Sequence, residues 1–157
     1  MRSKKYLPMK FLPFAVALVL LISSCGKKTD QTEVDDQIIK DYLVSKNLTA
    51  IKDPSGLYYI MTVTGTGTSP TTASTVEVKY KGSLLNGTVF DQTAVDKTFT
   101  YALSGLIKGW QIGIPLMKKG GKATLIIPSQ LGYGSENLGV IPPNSVLIFD
   151  IELIDVK

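Results

Sequence analysis

Six aromatic side chains spread between positions 80 and 149 are the residues of this chain best suited to chemistry: Tyr80, Phe90, Phe99, Trp110, Tyr133 and Phe149. The chain has no histidine, and its single cysteine is Cys25. Serine–histidine and cysteine–histidine couples and histidine zinc sites are therefore excluded. What remains is a shaped apolar pocket with a few hydrogen-bonding groups. Such a pocket suits binding or strain chemistry rather than nucleophilic or metal chemistry.

The neighbours of these aromatic residues indicate an opening rather than a core. Tyr133 stands between two glycines, Phe90–Asp91 enters a loop, and Val140–Ile141 ends a loop before two prolines. Core residues usually lie in the middle of strands, whereas residues in glycine-flanked loops more often line a binding site. For any single ring, packing in a core is an equal alternative. The set as a whole favours a cleft.

Charge and motif patterns exclude further classes of function. Four of the seventeen basic residues precede the N-terminal apolar run, so thirteen basic and thirteen acidic residues remain from Cys25 onward. The remaining basic residues are dispersed, which argues against a nucleic-acid partner. Gly121–Lys122 lacks the residues of a phosphate loop, and Ser129 lacks the flanking glycines of a nucleophile elbow. The acidic residues have no metal-loop spacing, so we expect no metal and no cofactor.

The N-terminus predicts export and a lipid anchor. Residues 1–24 combine basic residues with a short apolar run, which is typical of a signal peptide. The small residues before Cys25 resemble a bacterial lipobox, in which the cysteine sulfur is acylated; an ordinary signal peptide that happens to contain a cysteine is the alternative. We expect the mature chain to be anchored in the cell envelope, at the periplasmic face of the outer membrane.

Elements that would position the aromatic residues follow from periodicity. Residues 25–53 are expected to form a lipidated tether and an amphipathic helix over 34–47, which packs on its own domain or, alternatively, on a partner. From residue 54 onward the pattern is mostly β, with a strand over 76–84 and positive φ angles at Asn86 and Gly87 in a tight hairpin turn. A short helix lies within 106–117. The fold class is α+β, with a five- or six-stranded antiparallel sheet curled around one helix.

The stretch VEVKYKGSLLNGTVFD at 76–91 resembles the strand and hairpin signature of FKBP-type peptidyl-prolyl cis–trans isomerases. Further blocks follow in that family's order: IKGW at 107–110, MKKG at 117–120, IP at 127–128, YG at 133–134, IPPN at 141–144 and LIFD at 147–150. The resemblance covers residues 54–157. It implies a sheet curled around the helix that bears Trp110, with a substrate proline ring placed over the indole.

The resemblance also implies roles for individual residues. The catalytic positions would be Tyr80, Phe90, Asp91, Trp110, Tyr133 and Phe149. The substrate-contacting positions would be Phe99, Leu106, Ile107, Val140 and Ile141, with the last two on an overhanging loop. The Ile107 backbone N–H and the Tyr133 hydroxyl would bind substrate carbonyls, and Asp91 would orient groups at the wall. The loop after Asp91 departs from the family in having no arginine, and Lys97 is its only cation.

The activity implied is cis–trans isomerisation of X-Pro bonds in exported polypeptides, without a covalent step, and macrolides would be inhibitors. Two alternatives stay open at this point. The same rings suit a binding module that holds proline-containing segments with slow turnover, as a chaperone or adaptor would. A purely structural envelope lipoprotein is the other alternative.

Overall fold

Two ten-residue strands, paired over nearly their whole length, form the centre of the molecule. The computed structural model describes residues 30–157, so the predicted signal peptide, Cys25 and most of the predicted tether lie outside the described residues. The helices and strands are α1 (Gln31–Ser45), β1 (Ile51–Lys52), β2 (Tyr58–Val63), β3 (Thr75–Leu84), β4 (Val89–Gln92), β5 (Phe99–Ala102), α2 (Lys108–Gly113), β6 (Lys122–Ile127) and β7 (Leu147–Val156).

All strand pairs are antiparallel, and the order across the sheet is β1-β2-β6-β7-β3-β4, with β5 also pairing with β3. The alternation predicted for β3 is observed, because Val76 and Val78 are fully buried while Lys79 and Lys81 are exposed. The predicted α+β class is confirmed. The sheet has seven strands rather than five or six, and one of them is the two-residue strand β1, which lies in the segment 25–53 where only a tether and a helix were expected.

The β3–β4 hairpin differs from its prediction in one respect. Gly87 has a positive φ of 89°, whereas Asn86 is not among the positive-φ residues, so the prediction for Asn86 was wrong. The Gly87 N–H donates to the Leu84 carbonyl at 2.9 Å, and the Leu84 N–H donates to the Thr88 carbonyl at 2.9 Å. The loop therefore contains three residues, and Gly87 alone takes the left-handed conformation that closes it.

The short helix α2 lies against β6 at unusually close range. A Cβ atom added at Gly109 would lie 2.5 Å from Ile127, and one added at Gly113 would lie 2.6 Å from Leu125. These two glycines let the helix backbone approach the sheet and bring Trp110 into the core. The helix lies within the predicted range 106–117 and ends at Gly113, before Pro115, and a 3₁₀ turn over Ile114–Leu116 continues the chain.

The helix α1 packs on its own domain, through a second apolar cluster formed by Ile39, Leu43, Tyr58, Ile126, Val146 and Ile148. It begins three residues before the predicted start because Asp30 accepts a hydrogen bond from the Thr32 N–H at 3.1 Å. Asp36 receives the Tyr58 hydroxyl at 2.7 Å and forms ion pairs with Lys40 and Lys52. These partners, Lys40 first, hold the pKa of Asp36 well below its usual range.

None of the helices in residues 30–157 has the length and apolar character needed to cross a bilayer.

Candidate active site

A cleft of about 220 Å³ opens between α2, the centre of the sheet and the loop that follows β6. Every residue that lines it is one of the predicted site residues: Tyr80, Asp91, Phe99, Leu106, Ile107, Trp110, Tyr133 and Phe149. A larger groove of about 370 Å³ lies on the outer face of the sheet. That groove contains ion-paired side chains, such as Lys122 and Glu152 at 3.2 Å, and it lacks the cluster of aromatic rings that lines the cleft.

The floor of the cleft is an indole held by rings that meet it edge-on. Trp110 is 4% exposed. The rings of Tyr80 and Phe149 each have centroids 5.2 Å from the indole, with interplanar angles of 84° and 90°. The Tyr80 ring also packs edge-on against Phe99 at 5.6 Å. Such T-shaped contacts stabilise by roughly 0.5–1.5 kcal/mol each beyond area burial. The indole plane is therefore fixed before any ligand arrives.

A short hydrogen bond forms the polar side of the cleft. The Tyr80 hydroxyl donates to Asp91 Oδ2 at 2.6 Å. Burial, and then this hydrogen bond to Asp91, raise the pKa of Tyr80 above its usual value. The ion pairs found in residues 30–157 include neither Asp91 nor Lys97. The loop after Asp91 has no arginine that could orient the carboxylate, and the hydroxyl of Tyr80 orients it instead.

The Trp110 Nε1–H is buried without a hydrogen-bond partner in residues 30–157, and two further donors lie at the edge of the cleft. Burial, and then the charge of Asp91, raise the pKa of the Tyr133 hydroxyl, so it stays protonated at neutral pH and can donate. The N–H of Ile107, at the N-terminal cap of α2, has no acceptor within the described part of the chain. An apolar cleft with two donors at its edge is suited to holding the carbonyl groups that flank an apolar ring.

Sequence reasoning missed the residue that fixes the turn before Ile107. Gln111 Nε2 donates to the Leu106 carbonyl at 2.6 Å and to the Ser104 carbonyl at 3.2 Å. Its amide therefore bridges two carbonyls of the turn that leads into α2. A glutamine in the first turn of a helix can reach back in this way, but the sequence pattern offers no sign of which carbonyl it binds.

Three of the predicted site residues are not brought into the cleft lining. Phe90 packs edge-on against Phe149 at 5.5 Å and so supports the wall from behind. Val140 is 56% exposed, while Ile141 is 7% exposed and belongs to the core. The side chain of Val140 therefore faces solvent, and that of the neighbouring Ile141 faces the core.

No group of three or more possible metal ligands is found among residues 30–157.

Comparison with known proteins gives a consistent result. The family model described as FKBP-type peptidyl-prolyl cis–trans isomerase matches residues 66–154. A protein of Buchnera aphidicola (subsp. Schizaphis graminum), named FKBP-type peptidyl-prolyl cis–trans isomerase FkpA, is 51% identical over 108 residues, which are 68% of this chain and 43% of the relative. The Escherichia coli K12 protein of the same name is 44% identical over 104 residues, 66% of this chain and 38% of its own length.

Solved structures agree with these relatives. The crystal structure of FkpA from Escherichia coli superposes with a TM-score of 0.71 at 37% identity, covering 80% of this chain and 61% of that one. The chain spans less than half the length of these two FkpA relatives. The matched residues run from before β3 to near the end of β7, and they include every residue that lines the cleft. On this evidence of sequence and fold, the chain belongs to the family of FKBP-type peptidyl-prolyl cis–trans isomerases.

Proposed function

We propose that this chain is a peptidyl-prolyl cis–trans isomerase that acts on X-Pro bonds of exported proteins. The observation that carries the proposal is the cleft itself, where a fixed Trp110 indole forms an apolar floor and Tyr80–Asp91, Tyr133 and the Ile107 N–H form a polar edge. The family membership supports the same conclusion. No nucleophile, metal or cofactor is required for this reaction.

The reaction needs only a change of environment around one amide. Rotation about an X-Pro bond disrupts amide resonance, and the barrier of about 18–20 kcal/mol makes spontaneous exchange take tens to hundreds of seconds. The half-rotated amide is less dipolar than the planar one because conjugation is lost. A water-poor apolar cleft therefore favours the twisted state over the planar state, and only such differential binding accelerates the step.

The residues of the cleft divide this task. Trp110 and the rings around it would receive the proline ring. The Ile107 N–H and the Tyr133 hydroxyl would donate to the carbonyls on either side and hold the chain in its twisted shape. Asp91 would keep the Tyr80 ring in place through their 2.6 Å hydrogen bond. An acceleration of about 10⁴ requires about 5.4 kcal/mol of differential stabilisation, which is within the reach of one pocket and two hydrogen bonds.

We further propose that residues 1–24 are a lipoprotein signal peptide, that Cys25 is acylated, and that 25–53 link the anchor to the isomerase domain at 54–157. The basic start, the short apolar run and the small residues before Cys25 support this reading. The chain would then lie at the periplasmic face of the outer membrane, where newly exported, proline-containing polypeptides are its substrates. Within 25–53, the helix α1 packs on the sheet of the isomerase domain, and the residues before it would form the tether.

Catalysis can be tested with the full chain purified in detergent and a proline-containing tetrapeptide in a protease-coupled assay. We expect cis–trans exchange to accelerate in proportion to protein concentration. An FKBP-binding macrolide is expected to abolish the acceleration, because it would fill the cleft over Trp110. Exchange at the rate of buffer alone would reject the isomerase, and peptide binding without acceleration would indicate a binding module instead.

The anchor can be tested by metabolic labelling with a radioactive fatty acid in a bacterial host. The wild-type chain is expected to take up label and to fractionate with membranes, whereas the Cys25→Ala variant takes up none. Ser24→Ala is the matched control, since it changes a neighbouring small residue and leaves the sulfur in place. Equal labelling of the Cys25→Ala variant and the wild type would contradict acylation at this residue.

A further inference from the structure

Asp35 is a charged residue of α1 that lies outside the cleft and is fully buried, with 0% exposure. Gln31 Nε2 donates to its Oδ1 at 2.7 Å, and the N–H and hydroxyl of Ser129 donate to its Oδ2 at 2.7 and 2.6 Å. It forms no ion pair within residues 30–157. A buried carboxylate is unfavourable unless it is well hydrogen-bonded, so this one depends on Ser129.

The need to attach α1 to the sheet does not by itself explain why a carboxylate is buried at position 35. Ile39 and Leu43 already bury the apolar side of α1 against the sheet. The neighbouring carboxylate of Asp36 binds Tyr58 on β2 and thereby adds a polar attachment at a partly exposed position. Asp35 differs from Asp36 in what it holds, because its partner Ser129 lies in the loop after β6 rather than in the sheet.

Ser129 connects Asp35 to the neighbours of Tyr133. Its carbonyl accepts the Gly132 N–H at 2.9 Å and the Gly134 N–H at 2.8 Å. The two glycines on either side of Tyr133 are therefore held by one carbonyl, and that carbonyl belongs to the residue whose N–H and hydroxyl bind Asp35. A continuous chain of hydrogen bonds runs from α1 to the backbone that carries the Tyr133 side chain.

The loop that carries Tyr133 needs a hydrogen bond from outside because its two glycines can adopt many backbone conformations. Gly134 has a φ of 59°, and Gly132 has φ −106° and ψ −115°. Glycine gives the backbone access to many conformations, so local preferences alone do not fix the position of Tyr133. A small displacement of its hydroxyl matters, since misplacing a reacting or binding group by about 1 Å can lower a rate by about 10²-fold.

We propose that Asp35 is a positioning residue of the active site: by holding Ser129 it fixes the loop that presents the Tyr133 hydroxyl to the substrate. This inference rests on the proposed isomerase function. Asp35 touches neither the cleft nor the substrate, and it acts only through Ser129, Gly132 and Gly134. The helix α1 thereby becomes part of the machinery of the isomerase domain.

The test compares two neighbouring substitutions of the same kind in the full chain, purified in detergent. Asp35→Leu removes the acceptor of Ser129, and Asp36→Leu removes the acceptor of Tyr58 while leaving the loop untouched. We expect Asp35→Leu to lower kcat/KM about tenfold. We expect Asp36→Leu to change kcat/KM by less than about twofold, even if thermal denaturation shows that the two variants lose the same amount of stability. Equal losses of kcat/KM in the two variants would overturn the inference.

A double-mutant cycle with Tyr133→Phe provides a measurement that a merely structural role would not change. In the Tyr133→Phe background the hydroxyl to be positioned is gone, so Asp35→Leu is expected to lower kcat/KM by less than about twofold. An undiminished tenfold effect in that background would overturn the proposal. If Asp35→Leu fails to fold, Ser129→Ala takes its place in the cycle, since it removes the 2.6 Å hydroxyl contact and leaves the helix intact.

Amide hydrogen exchange, measured by NMR without substrate, separates this inference from the proposed function. The Gly132 and Gly134 amides are expected to exchange faster in Asp35→Leu than in the wild type and to be unchanged in Asp36→Leu. Identical exchange at these glycines in all three proteins would overturn the link from Asp35 to the loop. A wild-type chain without isomerase activity would instead reject the proposed function, and the exchange rates would still decide whether Asp35 holds the loop.

Discussion

Replacing Trp110 with alanine is expected to lower kcat/KM for a proline peptide by about 10²-fold, which corresponds to about 2.7 kcal/mol of lost transition-state stabilisation. The indole is the floor on which the proline ring would rest, and the Tyr80 and Phe149 rings are held edge-on against it. Because the side chain is also part of the core, the free energy of unfolding is expected to fall by about 3–5 kcal/mol. Peptide kinetics and denaturant unfolding measure the two effects.

Leu153→Ala is the matched control for the loss of stability. Leu153 is fully buried on β7 and does not line the cleft. Its truncation is expected to lower the free energy of unfolding by about 2–5 kcal/mol and to leave kcat/KM nearly unchanged at temperatures where the variant is folded. A comparable loss of activity in both variants would mean that Trp110 supports the fold and has no specific part in isomerisation.

Replacing Asp91 with alanine is expected to lower kcat/KM by about 10- to 100-fold. The Asp91 carboxylate accepts the Tyr80 hydroxyl at 2.6 Å, and a hydrogen bond to a charged group contributes about 1.5–3 kcal/mol. Tyr80→Phe removes the same hydrogen bond from the other side. The double variant is therefore expected to lose little more than Asp91→Ala alone, and strictly additive losses would contradict this coupling.

Asp150→Ala is the control for the change of charge. Asp150 also lies on the sheet, but it pairs with Lys81 at 3.3 Å on the outer face, away from the cleft. This exposed ion pair contributes about 0–1 kcal/mol, so its removal is expected to leave both stability and turnover almost unchanged. A loss of turnover in Asp150→Ala equal to that in Asp91→Ala would show that net charge, rather than the position of the carboxylate, matters.

The sheet could be predicted because its strands are half buried. Strict alternation in β3, with Val76 and Val78 inward and Lys79 and Lys81 outward, leaves a clear period of two in the sequence. The two-residue strand β1 left no such signal, since both of its residues are exposed. The conformation of Asn86 was missed because the Asn-Gly pair is compatible with more than one hairpin loop, and the register of β3 and β4 decides between them.

The cleft could be predicted as a set of rings, but its polar connections could not. All eight lining residues were anticipated from composition, neighbouring breakers and family resemblance. The contacts Tyr80–Asp91 and Asp35–Ser129 join residues 11 and 94 positions apart, and only the folded chain brings such partners together. Val140 and Ile141 were both expected to contact the substrate from an overhanging loop, because neighbouring apolar residues in a loop give no indication of which one turns inward.

Two-dimensional exchange NMR on a proline peptide mixed with the full chain is the most direct test of the central claim, that an apolar cleft floored by Trp110 eases the twisting of an amide without a covalent step. We predict cis–trans cross-peaks that build up faster than in buffer, together with intermolecular NOEs from the proline ring to the Trp110 indole. Exchange at the buffer rate, or acceleration with the proline ring contacting another surface, would contradict the account.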